Sequence, residues 1–228
     1  MNRWGWVEFL VSLGLLLVCM FAAPVLCLLV GWAILGHGPS QRQIVIPAQI
    51  VSYLLWLLAI WVQFRWNRLS LWTEMAWRWP ASGNVLFYAA AGPLMAVGVG
   101  LMAGLLRAKE PEMGLMKELL SDPVTRAQLV IFGVSIGPLA EEILFRGLAL
   151  PVFSRFAGDA GGLLLTSVPF ALMHGPQYNW SWQHLVLLTA VGVIFGSIRL
   201  RSRSTLASTV THAAYNLTMF AGYFLRPV

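Results

Sequence analysis

Gln128–Pro151 reads QLVIFGVSIGPLAEEILFRGLALP. A run of that length and apolarity is a candidate membrane span, since a helix needs about 20 such residues to cross a bilayer. Yet it contains Glu141, Glu142 and Arg146, and a charge at mid-helix costs about 2.5–3.5 kcal/mol even on lenient insertion scales. Glu142 and Arg146 stand at i and i+4, so they can neutralise each other on one helix face. Glu141 points about 100° away, with Phe145 beside it one turn on and no partner on its own helix. A carboxylate in a low-dielectric site is a stronger base than in water, which is what a general base near neutrality needs. The plain alternative is a packing network of all three charges, and it suits Glu142 and Arg146 better than Glu141.

The surrounding chain has the composition of a membrane protein. Of 228 residues, 58% are hydrophobic and 11% charged, against about 45–50% and about 25% in soluble domains. Mean hydropathy is +0.73. The whole of 1–228 reads as one integral membrane domain, an all-α polytopic bundle with seven spans at 7–35, 44–64, 84–106, 128–151, 161–175, 183–199 and 205–225. The first contains Pro24, which predicts a tilt or kink. It follows Arg3 with no evident cleavage site and reads as a retained span. The 11 tryptophans gather mostly at span ends, where indole suits the membrane interface. In residues 65–80, RWNRLSLWTEMAWRWP, the residues Trp66, Leu69, Trp72, Ala76 and Trp79 recur at helical spacing, which predicts an interfacial amphipathic helix. Residues 107–127, with Pro111 and Gly114, form a mixed-charge connection. The pairs Gly100/Gly104, Gly133/Gly137 and Gly192/Gly196 predict close helix packing. There is no internal repeat of the inverted-transporter kind.

Net charge is +6, but the basic residues are scattered, and only Arg199, Arg201 and Arg203 cluster. Nucleic-acid binding would require a basic face on a soluble fold, so lipid phosphate is the expected contact of these arginines. Cys19 and Cys27, eight residues apart on one helix, would lie about 12 Å apart, too far for a disulfide. Basic residues number eight on the side of the N-terminus, from Arg3 to Arg203, and six on the other, from Arg42 to Arg226. That difference leans towards a cytoplasmic N-terminus.

Two later spans carry the other chemistry. His174 is the one ionisable residue of GGLLLTSVPFALMHG, with Phe170 one turn before it; taken alone, a histidine at a span end is more often an interface residue than a catalyst. His212 and Asn216 stand at i and i+4 in TLASTVTHAAYNLTMFAGYFL, where a helix-packing hydrogen bond is the alternative. Depth brings them together. At 1.5 Å per residue, Glu141 lies about 20 Å below the side where its span begins, His174 about 10 Å, and His212 and Asn216 about 20 and 14 Å.

In that order, Glu141-Glu142-x-x-x-Arg146, Phe170-x-x-x-His174 and His212-x-x-x-Asn216 resemble the CAAX-protease and bacteriocin-processing (CPBP, or ABI) family, which includes the Rce1 prenyl-protein endopeptidases. The resemblance covers 128–220, a catalytic core after variable N-terminal spans in 1–106, and the seven spans differ from the eight usual in Rce1. It implies that Glu141 activates water, helped by His174. His212 and Asn216 would donate to the oxyanion, Glu142 and Arg146 would hold the motif helix, and Phe170 would pack beside the site. No cofactor and no metal are implied, and the expected partner is a membrane-associated peptide or protein. A zinc site of Glu141, His174 and His212 is a variant of this reading. A proton-coupled transporter and a non-enzymatic membrane partner are the readings from other classes. Rce1-type sites open to the cytosol, opposite to the lean of the basic residues, and a prokaryotic inner membrane is the expected location.

Overall fold

The computed structural model describes residues 4–80, 84–109 and 114–225; Arg3, Pro111 and Arg226 lie outside them. Among the described residues there are helices and no strand. Lipid imposes this economy, because each backbone N–H and C=O in hydrocarbon has to be satisfied within its own segment. The α-helices are α1 (Trp6–Leu35), α2 (Gln41–Trp66), α3 (Leu71–Glu74), α4 (Val85–Leu105), α5 (Gly114–Ser121), α6 (Pro123–Val134), α7 (Ile136–Glu142), α8 (Leu150–Met173), α9 (Trp182–Ser202) and α10 (Thr205–Phe224).

Five of the described helical runs are long and apolar enough to cross a membrane: Trp6–Leu35, Gln41–Trp66, Val85–Leu105, Pro123–Met173 and Trp182–Ser202. The protein is an integral, multi-pass membrane protein of the all-α class. The expected span 128–151 and all but the last two residues of 161–175 fall within a single run of 51 residues, Pro123–Met173. Inside α8 the helical path breaks at Gly158 (φ 71°, ψ 171°), a conformation that glycine adopts without a Cβ clash. The last expected span corresponds to α10, 20 residues long. Its Ser, Thr, His and Asn side chains keep it less apolar than the other five.

The amphipathic helix expected over 65–80 is not formed. Only Leu71–Glu74 is helical there, after α2 has run on to Trp66. Left-handed backbone at Arg68 (φ 55°) and Ala76 (φ 49°) interrupts any longer helix, so the apolar periodicity has no continuous axis to follow. Trp66, Trp72 and Trp79 are nonetheless well exposed, as interface residues are.

The chain forms two compact units, Met1–Leu71 with Gly114–Ala140, and Trp72–Met113 with Glu141–Val228. In the first, α1 and α2 share a polar seam. The Trp56 indole donates to the Ser12 carbonyl at 2.9 Å, the Gln63 amide to the Glu8 carbonyl at 3.0 Å, and the Ser12 hydroxyl to Gln63 Oε1 at 2.8 Å. Tyr53 stacks on Phe132 of α6 at 5.8 Å. Asp122 caps α6 by accepting from the Thr125 amide at 2.9 Å, and that bond holds its carboxyl below the usual carboxylate range. Cys19 and Cys27 are free thiols.

In the second unit glycines set the helix spacing. A Cβ on Gly192 of α9 would lie 2.8 Å from Ser167 Cβ on α8, and one on Gly196 would lie 2.5 Å from Leu163. The Gly192/Gly196 pair therefore does what its spacing predicts. Gly100 and Gly104 do not, since a Cβ at either meets nothing within 4 Å. In α4 the close approach occurs at Gly92, where a Cβ would sit 2.5 Å from the Tyr215 amide nitrogen and 2.6 Å from Ala214 Cβ. Beside it the Thr211 hydroxyl donates to the Tyr88 carbonyl at 3.0 Å.

Backbone atoms at Gly92 cannot step aside. Gly92→Ala should therefore destabilise the purified protein by about 1–3 kcal/mol, an overpacking cost. Gly100→Ala should be neutral or slightly stabilising, gaining helix propensity of up to about 1 kcal/mol. Unfolding midpoints of the two variants in detergent would check the contrast.

Candidate active site

Immediately after Glu142 the helix widens. Ile143–Ala149 is π-helical and all seven residues are buried; such widened turns are rare and gather at functional sites. Arg146 within it is fully buried and reaches back to Glu142, Nη1 donating to Oε1 at 3.0 Å. Its Nη2 donates to the Gly192 carbonyl of α9 at 2.8 Å. Three rings enclose the guanidinium, Phe170 at 4.7 Å, Phe195 at 5.4 Å and Phe145 at 5.8 Å. Ring faces attract a desolvated cation, so the charge is held by one carboxylate, one carbonyl and an aromatic cage.

Glu142 Oε1 accepts a second hydrogen bond, from His212 Nδ1 at 3.0 Å. A carboxylate paired with an arginine only accepts, so this bond places the imidazole proton on Nδ1. His212 Nε2 then faces Glu141, whose Oε2 lies 3.8 Å away, beyond direct hydrogen-bond range. Glu141 thus has a partner from another helix where its own helix supplies none. The two adjacent glutamates differ in access: the Glu142 side chain is wholly buried, whereas that of Glu141 is 14% exposed. Phe195 stacks on the His212 ring at 4.5 Å and 25° and fixes its plane.

His174 closes α8 as its C-cap. Its Nδ1 donates to the Phe170 carbonyl at 2.8 Å, which leaves Nε2 as the basic nitrogen. Phe170 lies between the histidines, its ring 4.9 Å from His174 and 5.9 Å from His212. Asn216 stands one turn after His212 on α10, half-buried. Glu141, Glu142, Arg146, Phe170, His174 and His212 thus form one chain of contacts inside the second unit. Among the described residues, no group of three His, Cys, Asp or Glu has a metal-holding arrangement.

Two site neighbours lie outside the motifs. Gly192 carried a signal as a small residue at packing spacing, although nothing in it announced a carbonyl acceptor. Phe195 sits among apolar residues of α9 and carried none.

Against this geometry, a comparison with known families gives one match. Residues 123–218 match type II CAAX prenyl endopeptidase Rce1-like. All three motifs fall inside the Rce1-like segment, which bears out the resemblance read from them. The family is one of endopeptidases, so at the family level the matched segment, less than half of the chain, is that of a protease, a hydrolase. No curated protein and no solved structure matches the chain.

Within this Rce1-like segment, Glu142 and Arg146 depend on each other. Arg146→Ala leaves a carboxylate buried without its cation, and breaking a buried pair costs about 3–5 kcal/mol. Its yield of folded protein should fall sharply. Arg146→Lys should rescue it only in part, because a lysine cannot span Glu142 and the Gly192 carbonyl with a planar fork. Size-exclusion profiles and unfolding midpoints measure both.

Proposed function

We propose that the protein is a metal-free glutamate-type intramembrane endopeptidase, with 128–220 as its catalytic core within one integral membrane domain. The observation that carries this reading is the approach of Glu141 to an imidazole that Glu142 already holds from the other side. A water bound at Glu141 would lose a proton to that carboxylate while its oxygen attacks the scissile carbonyl carbon. The Nε2 of His174, as an acceptor, would help orient the water. The carbonyl oxygen becomes an oxyanion, to which His212 Nε2–H and the Asn216 amide donate. As a donor at Nε2 the His212 ring carries two protons, and the flanking carboxylates supply a counter-charge at each nitrogen. Glu141 then returns its proton to the departing amine as the tetrahedral intermediate collapses. No covalent enzyme intermediate is needed.

Desolvation supports this assignment. Of the two glutamates, Glu142 is committed to Arg146 and His212 within a sealed interior, while Glu141 retains the opening that a substrate water requires. The substrate would be a membrane-associated peptide bond, in a prenylated C-terminal tail, a leader peptide or a membrane-anchor tail. A prokaryotic inner membrane is the proposed location.

Glu141→Gln should abolish cleavage, by about 10²–10⁴-fold as expected for loss of a general base, while the protein inserts and purifies normally. Retained turnover in that variant removes Glu141 as the base. His212→Ala and Asn216→Ala should lower kcat by about 10²–10³-fold, the usual cost of an oxyanion donor. Quantitative proteomics of a Glu141→Gln strain should reveal an uncleaved, membrane-associated precursor that serves as the assay substrate. Cleavage should survive EDTA and phenanthroline, and complete, zinc-reversible loss would replace the metal-free mechanism with a zinc one.

A further inference from the structure

Arg78, Arg199, Arg201 and Arg203 converge where α9 gives way to α10. Arg199 Nε donates to the Thr205 hydroxyl at 2.9 Å, and Arg78 Nε donates to the Arg203 carbonyl at 2.9 Å. The corner is clamped besides: the Thr205 amide donates to the Ala76 carbonyl at 3.0 Å, and the Ser204 and Thr205 hydroxyls donate to the carbonyls of Arg78 and Met75. Ser204 also caps α10, accepting from the Ala207 amide at 3.1 Å. Each of the two guanidiniums is tied through Nε, and the fork beyond it has no acceptor among the described residues. The charges of Arg78 and Arg199 act on each other. Among the described residues, no carboxylate forms an ion pair with any of the four arginines.

Holding like charges together is unfavourable, and a rigid hydrogen-bonded corner prevents their parting. An anion that accepts from both forks relieves the repulsion. The guanidinium fork fits phosphate oxygens two at a time. Arg78 lies between exposed tryptophans, Trp72 and Trp79 being 53% and 72% accessible, and such residues mark the level of lipid headgroups. We propose that Arg78 and Arg199 bind the phosphate of an anionic phospholipid, with the exposed Arg201 and Arg203 drawing the headgroup in. The site is separate from the Glu141 chemistry, and the position of Thr205 in it ties headgroup binding to the start of the helix that carries His212.

The test is titration of the purified full-length protein in detergent with dioleoylphosphatidylglycerol, bound lipid being read by native mass spectrometry. Arg78→Gln/Arg199→Gln should weaken lipid retention about tenfold or more, given that basic residues near an anionic surface dominate such binding. Arg68→Gln, which alters an exposed arginine making none of these contacts, should leave retention unchanged. Arg78→Gln alone, at an exposed position, should give a smaller loss, and it stands as the test if the double variant fails to fold. Equal retention by wild type and the Arg78 variants, or equal loss in Arg68→Gln, overturns the site. Inorganic phosphate at millimolar concentration should not displace the lipid. Displacement would make the site one for free phosphate and overturn the lipid assignment. The readout is bound lipid, so its outcome is independent of whether the chain cleaves peptides.

Discussion

The second unit is organised around one carboxylate. Glu142 Oε1 accepts from Arg146 and His212 at once, each at 3.0 Å, with no exposure to dilute the interaction. In hydrocarbon neither a lone carboxylate nor a lone guanidinium is tolerable, so each member of the group constrains the next. Arg146 has to reach both Glu142 and the Gly192 carbonyl, which fixes the separation of the π segment from α9. His212 has to reach Glu142, which fixes α10 against both.

That constraint explains the residue types around it. Gly192 leaves its carbonyl open to Arg146 and also lets α9 approach Ser167 closely. Phe145, Phe170 and Phe195 offer ring faces to the guanidinium; Phe195 also stacks on His212, and Phe170 contacts both histidine rings. Aromatic walls satisfy a buried cation without adding charge, and they exclude lipid chains from the polar centre. The wider π turn gives Arg146 room to fold back while its backbone stays bonded, where an irregular loop would leave unsatisfied groups in the membrane.

Around this fixed centre Glu141 differs in access and in bonding. It shares a helix, a charge and a neighbouring imidazole with Glu142, yet it keeps contact with the outside and makes no direct hydrogen bond to His212. Two identical side chains in adjacent positions are thereby given different environments, one sealed and doubly bonded, the other open. The same arrangement leaves the Nε2 edges of His174 and His212 free of their anchoring acceptors, since each ring spends its Nδ1 proton on one.

Much of this was legible in the residues. Apolar runs of spanning length establish an all-α membrane bundle, because only helices of that composition satisfy their backbone in lipid. Spacing of four residues announces the Glu142–Arg146 pair, since it depends on helix geometry and nothing else. The order of Glu141, His174 and His212 along the chain points to the Rce1-like segment. What local sequence could not supply were relations between helices. That His212 bonds to Glu142 and faces Glu141, that Phe195 stacks on it, and that Gly92 rather than Gly100 sets the approach of α4 all depend on how far each helix is rotated about its axis. The interfacial helix over 65–80 failed for a related reason: periodicity assumes a continuous axis, and the left-handed turns at Arg68 and Ala76 remove it. Composition and spacing determined which groups had to be paired; the packing of the helices alone decided with which partner.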